Sequence, residues 1–136
     1  MKKLPLFFLI VSLTIPLFAN DYAVVANKKM KELSTSQIRA VFLKKITIID
    51  DTKLVPMNLA VRDAIRQKFE KKVLKMNFAR LKAYWTKQHY LGHRPPVSMK
   101  SQQSVKAFIK KVDGAIGYME LQYVDEDMKI LYKWSE

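Results

Sequence analysis

Residues 104–119 read SVKAFIKKVDGAIGYM and indicate the class of fold that this chain adopts. The segment 104–112 predicts a helix, because its apolar residues recur at the i, i+3, i+4, i+7 spacing of one helical face: Val105, Phe108, Ile109 and Val112. Asp113 and Gly114 are turn-forming residues, and the apolar run 115–119 after them predicts a buried strand. A helix that leads directly into a buried strand is typical of α/β folds.

Two amphipathic helices are predicted upstream of this unit. The segment 62–74 places apolar residues four apart, at Ile65, Phe69 and Val73. The segment 78–90, FARLKAYWTKQHY, follows a capping Asn77 and is stopped by Gly92 and by two prolines at 95 and 96. The inward face of this second helix is predicted to carry Phe78, Leu81, Trp85 and either Gln88 or His89. We interpret the aromatic residues in this half of the chain as core rather than as a binding surface: Tyr84, Trp85, Tyr90 and Tyr118.

Short apolar runs predict the strands of the sheet. They are residues 22–26, 46–49, 54–59 and 128–132. The polar residues 50–53 form a hairpin or a loop that leads into a strand, and Pro56 predicts an edge position for the strand 54–59. Ser34, Thr35 and Ser36 offer caps for a short helix that ends near Leu43. Strands that alternate with helices predict a three-layer α/β sandwich on a mostly parallel sheet.

The N-terminus predicts a cleaved secretory signal. Lys2 and Lys3 precede an apolar run from Leu4 to Phe18, and Ala19 offers a small residue for cleavage. An uncleaved membrane anchor is the alternative, but the run is shorter than the ~20 residues that a spanning helix needs. The chain contains no cysteine, so it has no thiol for lipidation. We therefore expect residues 1–19 to be removed and residues 20–136 to form one periplasmic domain, without stable insertion into the membrane.

The chain is strongly basic, with a formal net charge of +13. Loss of Lys2 and Lys3 with the signal leaves +11, and the lysines and arginines occur along every helix rather than in a tail. An exported protein does not meet nucleic acid, so a nucleic-acid partner is excluded. The charge then suits a small anion, acidic surfaces of the envelope or simple solubility, and much of it is expected to be a solvated face.

Six motifs in order resemble the phosphate-binding-protein-like family of solute receptors. They are the strand 24–27 (VVAN), the serine-capped helix 36–44 (SQIRAVFLK), the R-x-x-F helix from Arg66 to Leu74, the helix 81–85 (LKAYW), the segment from Gly92 to Pro96, and the strand 114–118 (GAIGY). The similarity covers residues 22–133. It implies the fold of one lobe of a type II periplasmic binding protein. Such receptors hold their ligand between two lobes, and the expectation is that this chain carries the second lobe alone.

One motif of the family departs from its usual form. The resemblance places an anion-gripping S-G-T turn where this chain has Asp63, Ala64 and Ile65. An aspartate there repels a phosphate dianion, and Ala64 and Ile65 offer no hydroxyl. The candidate anion-binding residues are accordingly Arg62, Asp63 and Arg66, with the two arginines one turn apart at a helix start. The alternative is a pair of surface arginines, one of them satisfied by Asp63.

No catalytic or metal-binding pattern is evident in the sequence. His89 and His93 are four apart, but Gly92 is predicted to end the helix between them, so no metal site and no cofactor are assigned. The sequence lacks the G-x-S-x-G, H-E-x-x-H and glycine-rich phosphate-loop motifs. We therefore predict a binding module rather than an enzyme.

Two functions are expected from the resemblance. The first is a receptor-like module of the phosphate or oxyanion ABC-transporter type, whose cleft a homodimer or a partner lobe would complete and whose partner would be an ABC permease. The second is a lobe without a small ligand, which serves as an interaction or scaffolding domain for an acidic envelope protein.

Overall fold

The computed structural model describes residues 21–136, together with Lys3 and Pro5. Apart from those two residues, the predicted signal at 1–19 lies outside the described residues. The strands are β1 (Asp21–Asn27), β2 (Ile48–Ile49), β3 (Thr52–Lys53), β4 (Val55–Leu59), β5 (Val97–Met99), β6 (Ala115–Glu120) and β7 (Met128–Ser135). The helices are α1 (Thr35–Phe42), α2 (Ala64–Phe69), which continues as a π-helical segment (Glu70–Leu74), α3 (Phe78–Tyr90), α4 (Gln102–Lys111) and a 3-10 turn (Leu121–Tyr123).

Five strands form one sheet in the order β5-β4-β6-β1-β7. The strand β4 is parallel to both β5 and β6, whereas β1 is antiparallel to its neighbours β6 and β7. Four of the five strands therefore point the same way, as the mostly parallel prediction requires. A small antiparallel hairpin does form in this region, but β2 pairs with β3, inside the predicted connection 50–53, and β4 belongs to the large sheet instead.

One face of the sheet is covered by α1 and α2 through a cluster of aromatic rings. Phe69 of α2 stacks on Tyr118 of β6, with ring centroids 4.0 Å apart. Phe42 of α1 packs against Phe69 at 4.7 Å, and Trp134 of β7 stacks on Tyr22 of β1 at 5.3 Å. All five rings are almost completely buried. This cluster fixes α2 over the sheet, and so fixes where its first turn lies.

The helix α4 covers the opposite face and completes the three-layer sandwich. Gly117 alternates with Tyr118 along β6 and so faces α4, where a Cβ atom would lie 2.6 Å from Cγ1 of Val105. The helix therefore sits close enough to the sheet to exclude any side chain at this position. Asn27, at the end of β1, donates a hydrogen bond from Nδ2 to the carbonyl of Ile109 at 2.8 Å.

The predicted edge position of the strand 54–59 is wrong. The strand β4 lies between β5 and β6 rather than at an edge. Pro56 is tolerated there because β5 pairs with β4 only from Met57 onward, and Val55 makes the hydrogen bond to the other side, toward the carbonyl of Gly114. The missed strand β5 has only three residues, too few to show a periodicity.

The helix α3 turns its predicted face inward at Leu81, Trp85 and Gln88 but not at Phe78. Leu81 is its only buried residue, and the hydroxyl of Tyr84 donates to the carbonyl of Leu43 at 2.6 Å. Phe78, predicted on the same face, is instead 67% exposed at the first residue of the helix. Tyr90, also assigned to the core, is 85% exposed. Trp85 is half-buried.

Candidate functional site

The candidate site lies where the chain leaves two neighbouring parallel strands in opposite directions. From the carboxyl end of β4 it passes to α2, on the aromatic face, and from the carboxyl end of β5 it passes to α4, on the opposite face. The diverging exits open a crevice at this edge of the sheet, which is where open α/β sheets bind ligands. Arg62, Asp63 and Arg66 all lie here, in the loop after β4 and the first turn of α2.

Asp63 is the N-cap of α2. Its Oδ1 accepts a hydrogen bond from the backbone N–H of Ile65 at 2.8 Å. The free N–H groups and the partial positive charge of a helix start attract anions. In this chain, the protein's own carboxylate already occupies that position.

Arg66 ties α2 to the two strands of the crevice. Its Nη1 donates to the carbonyl of Leu59 at 3.0 Å and reaches Oγ of Ser98 on β5 at 3.4 Å. Its Nε forms an ion pair with Oε2 of Glu70 at 3.3 Å, and both side chains are largely shielded from solvent. The guanidinium of Arg66 is therefore used mainly to hold the edge together.

Arg62 is exposed, and within residues 21–136 its guanidinium takes part in no ion pair. It is the member of the predicted set that is available to an incoming group. The formal charges of Arg62 and Arg66 are balanced by those of Asp63 and Glu70, so the edge has no net positive charge of its own. Such an edge can contact an oxyanion through one guanidinium and nearby hydroxyls.

Several polar residues at the same edge were not predicted from the sequence. The buried hydroxyl of Tyr118 donates to Oδ1 of Asn58 and accepts from the N–H of Leu59, both at 3.1 Å. Burial raises the pKa of Tyr118 above its ordinary value, so the hydroxyl stays a neutral donor. Gln102 exchanges two hydrogen bonds with Glu120, which joins the start of α4 to the end of β6.

Ser101 caps α4 by accepting from the N–H of Ser104 at 3.1 Å. The spacing of Ser101 and Ser104 is a capping signal that the sequence does show. The contacts of Asn58 and Tyr118, by contrast, join residues sixty positions apart, which no local pattern reveals.

The two histidines are not brought together as a metal site. His93 lies past the end of α3 and its Nδ1 contacts Oε1 of Gln88 at 2.9 Å, while His89 is exposed on the helix. Over the described part of the chain, no three His, Asp or Glu side chains cluster as metal ligands. No helix among these residues combines the length and apolar character that crossing a membrane requires.

The fold is that of one lobe of the phosphate ABC-transporter receptors. A structure from Clostridium perfringens, of a protein named as a phosphate ABC transporter substrate-binding protein and solved with bound phosphate, matches 82% of this chain with a TM-score of 0.66 and 18% identity. An ABC-type phosphate transport receptor from Vibrio cholerae matches 82% of the chain with a TM-score of 0.64 and 15% identity. The chain spans 44% and 45% of these two proteins. The sequence matches no protein-family model and no curated protein sequence.

Proposed function

We propose that this chain, which folds as one lobe of a phosphate ABC-transporter receptor, is a non-catalytic binding module that works in the periplasm after removal of residues 1–19. The observation that carries the proposal is the crevice between β4 and β5, because it combines the receptor-lobe fold with an available guanidinium at Arg62. Ligands of such folds bind at this edge. No covalent chemistry is required of any residue there.

In the first form of the proposal, the module contacts a small oxyanion such as phosphate. Arg62 supplies the positive charge that contacts the oxyanion, and Arg66 holds the strand ends in place. Asp63 caps α2 and adds a negative charge at the start of the helix. A second copy of the chain or a partner lobe would cover the open side of the crevice. An ABC permease is then the expected partner in transport.

In the second form, the lobe has no small ligand and binds an acidic envelope protein. The specific observation in its favour is that Asp63 caps its own helix while Arg66 pairs with Glu70. An anion at the helix start would have to displace the Asp63 carboxylate, and it would meet an edge of zero formal charge. An exposed crevice without a small ligand is a concave surface suited to a protein.

Calorimetric titration at low salt separates the two forms. The probes are phosphate, sulfate and molybdate, each tested on the wild type, on Arg62→Ala and on Arg66→Ala. Lys28→Ala is the matched control, because Lys28 is exposed and lies past the opposite end of the sheet, beyond β1.

Saturable binding of one oxyanion that Arg62→Ala abolishes and Lys28→Ala leaves intact supports the first form. The unfolding curve of Arg66→Ala must be recorded alongside, since this change also removes hydrogen bonds within the edge. Equal, weak and salt-sensitive association with all three anions would contradict the first form, because it reflects only the net charge. The second form predicts that outcome. It also predicts a stable acidic protein partner, and reversal of the charge at Arg62 should weaken the binding of that partner.

A further inference from the structure

The acidic residues of this chain are distributed unevenly. Residues 71–112 contain eleven Lys and Arg residues and no Asp or Glu, whereas the other 94 residues together carry only +2. Lys106 and Lys110, in α4, pair with Asp125. The eight cations of residues 71–100 form no ion pair with any described residue. The segment that contains α3 is therefore a continuous source of uncompensated positive charge.

The same segment exposes large apolar side chains. Phe78 and Tyr90 lie at the two ends of α3, about 18 Å apart at the rise of an α-helix. Leu91 and Val97, which follow the helix, are more than half exposed. Isolated apolar residues on a surface are ordinary, whereas a contiguous apolar surface indicates an interaction site.

Grooves along α3 connect Phe78 with Tyr90 by way of Trp85. One groove is lined by Val61, Phe78, Leu81 and Trp85, and the next is lined by Trp85, Tyr90 and Pro95. Lys82 borders both grooves. Lys87 borders a third, between Ala79 and Tyr90. The one acid among these lining residues is Glu70, which Arg66 neutralises. We call this surface, which runs along α3 from Phe78 to Tyr90, the α3 face.

We propose that the α3 face is a docking surface for an anionic lipid bilayer. Cations interleaved with Trp, Tyr, Phe and Leu side chains are the composition of helices that lie in the interfacial plane of a membrane. Each Lys or Arg near an anionic surface adds to the attraction, and amphipathic aromatic rings favour the headgroup region. A second copy bound through its own α3 face does not fit, because it would bring two uncompensated positive surfaces together.

The shape of the α3 face supports the same occupant. Two of its three grooves are wide open to solvent, and the rings of Phe78 and Tyr90 are mostly exposed. Protein partners usually anchor a few side chains in well-packed pockets, whereas a bilayer needs only a protruding apolar edge with cations beside it. Docking of this kind is reversible adsorption in the headgroup layer. It goes beyond the proposed oxyanion module and does not depend on Arg62.

Vesicle co-sedimentation tests the proposal on the folded chain without residues 1–19, so that the apolar N-terminus does not contribute. The probes are vesicles of phosphatidylcholine alone and of phosphatidylcholine mixed equally with phosphatidylglycerol, at about 0.1 M salt. We expect binding to the mixed vesicles only.

Fluorescence gives a second readout, because Trp134 is buried and Trp85 borders the grooves. The emission should shift to the blue on binding, and Trp85→Phe should abolish the shift.

Paired variants locate the surface. Lys82→Ala with Lys87→Ala should weaken vesicle binding about thirtyfold, at about fivefold for each charge removed. The matched control is Lys28→Ala with Lys133→Ala, which removes the same charge from exposed positions on β7 and beyond β1. This control should change binding less than threefold.

The apolar contribution has its own pair of variants. Phe78→Ser should weaken vesicle binding about tenfold, whereas Ile48→Ser, at an equally exposed residue of the β2 hairpin, should leave it unchanged.

Three results would overturn the proposal. The first is no sedimentation with the mixed vesicles, and the second is an equal loss in the two lysine pairs. The third is that the chain binds soluble polyglutamate as strongly as it binds vesicles, and that Phe78→Ser does not weaken the binding to polyglutamate. That result would assign the face to an acidic polypeptide. Inorganic phosphate should compete no better than chloride of equal ionic strength. Failure of the membrane-docking proposal therefore does not affect the outcome of the oxyanion titration, and failure of the oxyanion proposal does not affect vesicle binding.

Discussion

Removing the charge of Asp63 should convert this edge into a better phosphate site. Asp63→Ser introduces the hydroxyl that the resemblance to the receptors implies at this position, and Asp63→Asn removes the charge with little change of shape. Ser, Asn and Asp are all good N-caps, so α2 should remain capped in both variants. The free energy of unfolding should then change by less than about 1 kcal/mol, the usual scale of a charge at a helix start.

The size of the effect follows from Coulomb's law. A phosphate held by the N–H groups at the start of α2 would lie about 4 Å from the Asp63 carboxylate. Each pair of unit charges at that distance repels by about 1 kcal/mol under water-like screening. For a dianion the repulsion is about 2 kcal/mol, which corresponds to a gain of roughly thirtyfold in affinity when the charge is removed. Partial shielding of the edge from water would increase this gain.

Isothermal titration with phosphate at low salt measures the change. Glu126→Gln is the control, because it removes one negative charge from the loop that leads into β7 and tests the effect of net charge alone. The control should change the affinity less than twofold. If Asp63→Ser and Asp63→Asn both bind phosphate no better than the wild type, the carboxylate is not what opposes the anion. Capping of α2 by Asp63 then does not weaken phosphate binding.

Three further predictions concern stability and are measured by urea unfolding. Tyr118→Phe removes both hydrogen bonds of a buried hydroxyl and should cost about 1–3 kcal/mol. Gly117→Ala places a Cβ 2.6 Å from a Val105 methyl and should cost about 1–3 kcal/mol, an effect that Val105→Ala in the same chain should reduce. The hydrogen bond from Lys110 lowers the pKa of Asp125 below its ordinary value. The ionised carboxylate therefore stabilises the fold at any pH above the ordinary pKa, and this stabilisation is lost as the pH falls through the lowered, folded-state pKa. The excess stability of the wild type over Asp125→Asn should therefore be seen at pH 7 and vanish in acid; a difference that persists there would contradict this assignment.

The sequence by itself determined the order of the elements and most of their boundaries. The predicted helix 104–112 corresponds to α4, and the predicted strands 54–59 and 115–119 correspond to β4 and β6. These predictions succeed because the period of the apolar residues and the capping side chains act within a few positions of one another. The same local motifs, in their order, were enough to indicate the receptor-lobe fold, which the structural comparisons confirm.

The tertiary structure alone decided which surfaces are covered and which charges are free. The pattern of α3 places Phe78 on the same face as the buried Leu81, yet the structure leaves Phe78 and Tyr90 exposed. Arg62 and Arg66 have the same charge in the sequence, yet only Arg66 is held by Glu70 and by a strand-end carbonyl. Such choices depend on partners brought together by folding, and a local pattern carries no information about them.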